Sequence, residues 1–162
     1  MTLSGAISLG TSACVIAKFS LIMFFRILRY LWAAPATVVG LAVAAVTICV
    51  GGTLRVVGGV VEAGGGWFGR FMQLLPQALR IEAITFGHVV LGLNHAALAR
   101  LRAHELVHVR QYERWGVLFF PLYLASSLWQ LLHGRDPYRQ NCFELEAFRL
   151  SESGSSTTHV KR

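Results

Sequence analysis

Residues 94–115 read NHAALARLRAHELVHVRQYERW, and this stretch decides the fold. It opens on an asparagine suited to cap a helix, holds no glycine or proline, and is followed by Gly116, suited to end one. The expectation is a helix of about 21 residues, roughly 31 Å long. Within it, His104-Glu105-Leu106-Val107-His108 sets two imidazoles one turn apart on a single face. Both rings can reach one metal ion, and Glu105 is placed to take a proton from a water held there.

A zinc site of this kind needs a third protein ligand and keeps one position open. Toward the C-terminus, residues 141–150 should form another helix, and it offers Glu144 and Glu146. Residues two apart on a helix point about 200° apart, so only one of the two faces the ion. Before them, His133 and Tyr138 border a loop that should return toward the metal, where either could donate to an oxyanion. On the histidine helix itself, Leu101, Gln111, Tyr112 and Trp115 read as wall and packing residues. Arg100, Arg102, Arg110 and Arg114 read as a solvated or headgroup-facing side, and His95 as a surface residue.

Toward the N-terminus, residues 83–91 (AITFGHVVL) read as a strand, with His88 on the face of Phe86 and Val90, packed or on the substrate side. Residues 54–57 and 60–63, joined by Gly58-Gly59, read as a β-hairpin whose turn needs positive φ. Between these, residues 67–79 suit a short amphipathic segment around Pro76. Residues 30–54 carry no charge, and 25 such residues exceed the roughly 20 that a membrane-crossing helix needs. Tyr30 and Trp32 suit the interface, Arg26 and Arg29 lie just outside, and Pro35 falls near the start of the span. Residues 1–29 fit a leader or a weak first span. Residues 117–132 are short for a span and suit a core or membrane-lying helix. The expected organisation is therefore 1–29, a span over 30–54, a small domain over 55–150, and a disordered polar tail over 151–162.

Composition agrees with an apolar anchor and a more polar domain. Of the 162 residues, 54% are hydrophobic and 14% charged, which excludes a disordered chain. Eight of the 23 charges fall within residues 1–99 and fifteen within 100–162. The net charge of +7 is scattered through apolar sequence without a basic run, so a membrane surface is the expected partner and nucleic acid is not. The basic residues before the span weakly place the N-terminal segment in the cytoplasm. Cys14, Cys49 and Cys142 form no disulfide framework and read as free thiols.

Residues 83–108 resemble the catalytic core of membrane gluzincin metallopeptidases. In that family a strand of the form I-x-x-G, here Ile84-Thr85-Phe86-Gly87, precedes a helix carrying H-E-x-x-H. The family's third ligand comes from E-x-E-A-D, which Glu144-Leu145-Glu146-Ala147-Phe148 matches except at its last position. The resemblance covers about two-fifths of the chain and implies Glu144 as the third ligand, with Glu146 in reserve. It further implies an α+β zincin-like domain, Zn²⁺ as cofactor, a peptide or protein substrate, and a bacterial inner membrane location. Phe148 stands where the family has an aspartate that orients the first histidine. The expectation is a membrane-anchored zinc metallopeptidase; the alternative is a non-catalytic, zinc-stabilised membrane module that binds a partner or senses a ligand.

Overall fold

A computed structural model describes residues 4–75 and 81–158, with side chains over 18–75 and 81–153. The chain is α+β. A 46-residue helix, α1 (Ser4–Cys49), leads into a hairpin of β1 (Gly52–Val57) and β2 (Val60–Gly65), then α2 (Gly66–Leu74). A second hairpin, β3 (Ala83–Phe86) and β4 (Val89–Gly92), precedes α3 (His95–Trp115). One 3₁₀ turn (Gly116–Leu118) joins α3 to α4 (Phe119–Leu132), and α5 (Cys142–Thr158) closes the described chain.

The four strands order β1-β2-β4-β3, antiparallel except where β2 runs parallel to β4. All four residues of β4 are buried, as expected for a strand covered on both faces. Val89 and Leu91 face Ala44 of α1 with Phe68 and Met72 of α2. Val90 faces Leu98 and Val109 of α3. The sheet is thus a middle layer, and α3 lies across one face with its histidines toward the β3 end.

The first hairpin forms as its Gly58-Gly59 turn requires, with φ of 60° and 84°. The second departs from the single continuous strand that residues 83–91 suggest. Gly87, at φ 59°, instead turns the chain back, so Phe86 and Val90 lie on opposite faces. His88 is consequently a turn residue rather than a strand residue.

The long first helix also departs from expectation. It runs unbroken through Lys18, Arg26 and Arg29, so Pro35 is interior, and it ends at Cys49, with Leu54 already in β1. Nearby, the Thr37 hydroxyl donates to the Ala33 carbonyl (3.1 Å). Ala33, Gly40, Ala44 and Thr47 recur at helical spacing and are buried against the domain. Gly40 is required for this approach, since a Cβ there would lie 2.7 Å from Val89 Cβ and 2.9 Å from the Phe86 carbonyl oxygen. Gly40→Ala should therefore push α1 off the sheet and cost about 1–3 kcal/mol, read as a lower Tm of the detergent-solubilised chain.

Two stretches, Lys18–Cys49 and His95–Leu132, are long and apolar enough to cross a membrane. In the second, the charges cluster on α3, while residues 116–132 carry none. The polar tail is not unstructured throughout, because α5 continues to Thr158. Residues 76–79 of the expected amphipathic segment and 159–162 of the tail lie outside the described residues.

Candidate metal centre

The caps of α3 are those its sequence requires. Asn94 Oδ1 accepts from Ala97 N (2.9 Å), and Gly116, at φ 56°, terminates the helix. Leu98 and Val109 are buried against the sheet, and the same rotation buries His104, Glu105 and His108. Helix α5 is set against α3 by Phe143, which packs with Tyr112 and Phe119, and this turns Glu144 inward.

His104, His108 and Glu144 meet there, all buried. The two Nε2 atoms are 3.1 Å apart. Glu144 Oε2 lies 3.1 Å from His104 Nε2, and Oε1 lies 3.4 Å from His108 Nε2. Around a tetrahedral ion with bonds of about 2.0–2.1 Å, neighbouring ligand atoms sit about 3.3 Å apart. The three separations match that edge, although each ring meets a different carboxylate oxygen. With one oxygen taken alone, the three ligand atoms lie within 4.8 Å of one another.

The donors available point the same way. Gln111 Nε2 donates to the Phe143 carbonyl (3.0 Å) and to Glu146 Oε2 (2.9 Å), so its Oε1 must accept from His108 Nδ1–H (2.8 Å). That leaves a lone pair on His108 Nε2. Glu144 Oε1 accepts from the Tyr123 hydroxyl (2.7 Å), while the buried Oε2 has no well-directed donor. With both rings neutral the cluster holds more acceptors than protons, and such a set could hold a divalent cation.

Glu105 sits beside the triangle, with Oε2 accepting from the Thr85 hydroxyl of β3 (2.7 Å). Burial pushes its carboxyl above the ordinary range, against the pull of Thr85 and the two histidines. Burial likewise disfavours charge on Glu144, but the approach of His104, His108 and Tyr123 outweighs it and holds the group at about 2. On His108, burial lowers the pKa, and the Glu144 carboxylate overcomes it to give a net rise. A group raised above its unfolded value of about 6.5 stabilises below that pH and loses the effect as pH climbs through the folded value. The metal-free chain should accordingly melt lower as pH goes from about 6 to about 9, whereas saturating Zn²⁺ should reverse the trend by displacing the proton. Thermal melts in detergent, with and without chelator, check both signs.

The triangle opens on a cavity of about 220 Å³ whose walls include Ile84, Phe86, Phe119, Phe120 and Tyr138. Tyr138 is thereby brought to the site, its loop held by Asp136 Oδ1, which accepts from the backbone N–H of Tyr138 and Arg139 (2.9 and 2.8 Å). His133 is not: its Nδ1 contacts the Trp129 carbonyl at 2.8 Å at the exposed end of α4. His88 is also elsewhere, stacked on Tyr30 at 4.1 Å and bonded to Thr37 and Glu113. The reserve ligand Glu146 lies outside the triangle and bonds Gln111. Phe148 packs its ring 4.8 Å from that of His104.

Thr85, Gln111 and Tyr123 are site residues that the sequence did not single out as such. Gln111, one turn beyond His108, had the spacing of a partner, whereas Thr85 and Tyr123 reach the site only through tertiary packing. Arg102 keeps part of its side chain in solvent and also grips the buried Glu62 with two hydrogen bonds of 2.7 and 3.0 Å. Comparison of the chain with protein-family models, curated proteins and solved structures gives no match.

Proposed function

We propose that the chain is a membrane-anchored zinc metallopeptidase of the gluzincin kind, with His104, His108 and Glu144 as ligands. The convergence of three buried ligand groups with Glu105 at their side is the single observation that supports this reading most. Zinc is favoured among divalent ions by a donor set of two imidazoles and one carboxylate. When bound, such an ion supplies Lewis acidity toward water and a carbonyl group.

The remaining chemistry belongs to the chain. Glu105, made more basic by burial and steadied by Thr85, takes a proton from the attacking water and returns it to the departing amine. Strand β3, at the edge of the sheet and lining the cavity, offers its outer backbone groups to an extended peptide. The aromatic and aliphatic walls favour an apolar side chain next to the cleaved bond.

The membrane assignment rests on exposed apolar surface. Helix α1 presents Phe24, Leu28, Leu31, Val38 and Val39 outward, and α4 presents Leu124, Leu128, Trp129 and Leu132. Faces of this extent mark contact with lipid or protein, and lipid is the partner that fits the length of α1.

A second reading, a zinc-stabilised module without catalysis, is favoured by Phe148, which packs an inert ring on His104 where an acid would hydrogen-bond. Digestion of casein and a peptide library by the purified, zinc-loaded chain separates the two. Cleavage supports the peptidase, while zinc at unit stoichiometry without cleavage supports the second reading.

A further inference from the structure

We propose that Glu146 is a positioning residue that acts through Gln111 to fix the tautomer of His108. The inference rests on the metal-site reading but makes a separate claim. Metal-binding imidazoles need one ring nitrogen free, and the hydrogen bond at the other nitrogen decides which one. Here that bond is to an amide, which by itself decides nothing, because a glutamine can present either its oxygen or its NH₂. Two acceptors remove the choice. The Phe143 carbonyl and Glu146 Oε2, at 3.0 and 2.9 Å, both demand the NH₂ group of Gln111. Its oxygen is left facing His108 Nδ1 at 2.8 Å, so that nitrogen carries the proton and Nε2 faces His104 and Glu144 with a lone pair.

Placement on α5 makes the arrangement coherent. Glu144 and Glu146, two residues apart, serve the same ring from different sides, one at its Nε2 and the other, through Gln111, at its Nδ1. Gln111 is 3% exposed, so water does not compete freely for its amide. The first histidine is held by ring packing against Phe148, so directional control of a ligand is concentrated on the second.

The test uses the full chain in detergent, with Zn²⁺ affinity measured by competition with a chelating dye. The His108 tautomer is read from ring ¹⁵N shifts of the metal-free, ¹⁵N-histidine-labelled chain at a pH where the ring is neutral. Glu146→Leu and Gln111→Leu should each weaken Zn²⁺ binding about 10–100-fold and convert a single Nδ1–H form into a mixture. Glu146→Gln, whose amide oxygen still accepts from Gln111, should stay within about twofold of the parent chain with the tautomer unchanged.

The proposal is overturned if Glu146→Leu keeps both the affinity and the pure Nδ1–H form. It is equally overturned if Glu146→Leu and Glu146→Gln weaken binding alike with the tautomer untouched, since Glu146 then serves only to dock α5. A parent chain that takes up no Zn²⁺ would sink the metal-site reading instead, and the ¹⁵N shifts would still decide the role of Glu146.

Discussion

Glu105→Gln is expected to bind one divalent ion per chain as the parent does and to lose peptide hydrolysis by about 10²–10⁴-fold. That range is the contribution of a positioned general base. The substitution keeps the size of the side chain and an oxygen for the Thr85 hydroxyl, so the β3–α3 contact survives. It removes the one carboxylate beside the triangle that burial has made more basic. Elemental analysis of the purified variant and initial rates on a cleaved peptide together check the prediction. Activity equal to the parent's would remove Glu105 from the mechanism.

Glu144→Ala should have the larger effect on the ion itself. Glu144 lies within 3.4 Å of both imidazoles and accepts from Tyr123, so its loss opens the triangle and strands a tyrosine hydroxyl. Zn²⁺ affinity should fall by more than about 100-fold, beyond the range of changes outside the ligand shell. Zinc per chain after gel filtration, set against Glu146→Gln as a comparison, gives the answer. Stoichiometric zinc in Glu144→Ala would mean that another group closes the site.

The parts of the fold legible in the sequence were those whose local signals agree. Helix α3 carries both its caps and an uninterrupted run, and the first hairpin has two glycines where two positive φ values are needed. The second hairpin escaped because Phe86, Val89 and Val90 surround Gly87-His88 with residues that suit a continuous strand. The close fit of Gly87 against Thr37, which fills the space a Cβ would need, exists only in three dimensions. The true length of α1 escaped because Lys18, Arg26 and Arg29 look like a boundary. Charges on a solvated or interfacial helix face do not interrupt its backbone hydrogen bonds.

The site divides in the same manner. His104, Glu105 and His108 share one turn of helix and could be read from spacing, and the choice of Glu144 over Glu146 came from resemblance. Which neighbours would hold those groups could not be read. Tyr123 comes from a helix that looked purely apolar, and Thr85 from a strand whose end was misplaced. The hydrogen bonds of Gln111 depend on how α5 docks, which no local pattern encodes.

Helix α1 is long and apolar enough to cross a membrane and also walls the sheet, and this bears on how the protein can be handled. Ala33, Ala44 and Thr47 are as deeply enclosed as any residue of the sheet. A fragment trimmed to begin at Val50, the usual route to a water-soluble domain, would strip Val89 and Leu91 of the part of their cover that α1 supplies and expose a greasy slab. Such a fragment should aggregate rather than refold, so biochemistry on this molecule has to begin with detergent or nanodiscs and the untrimmed polypeptide.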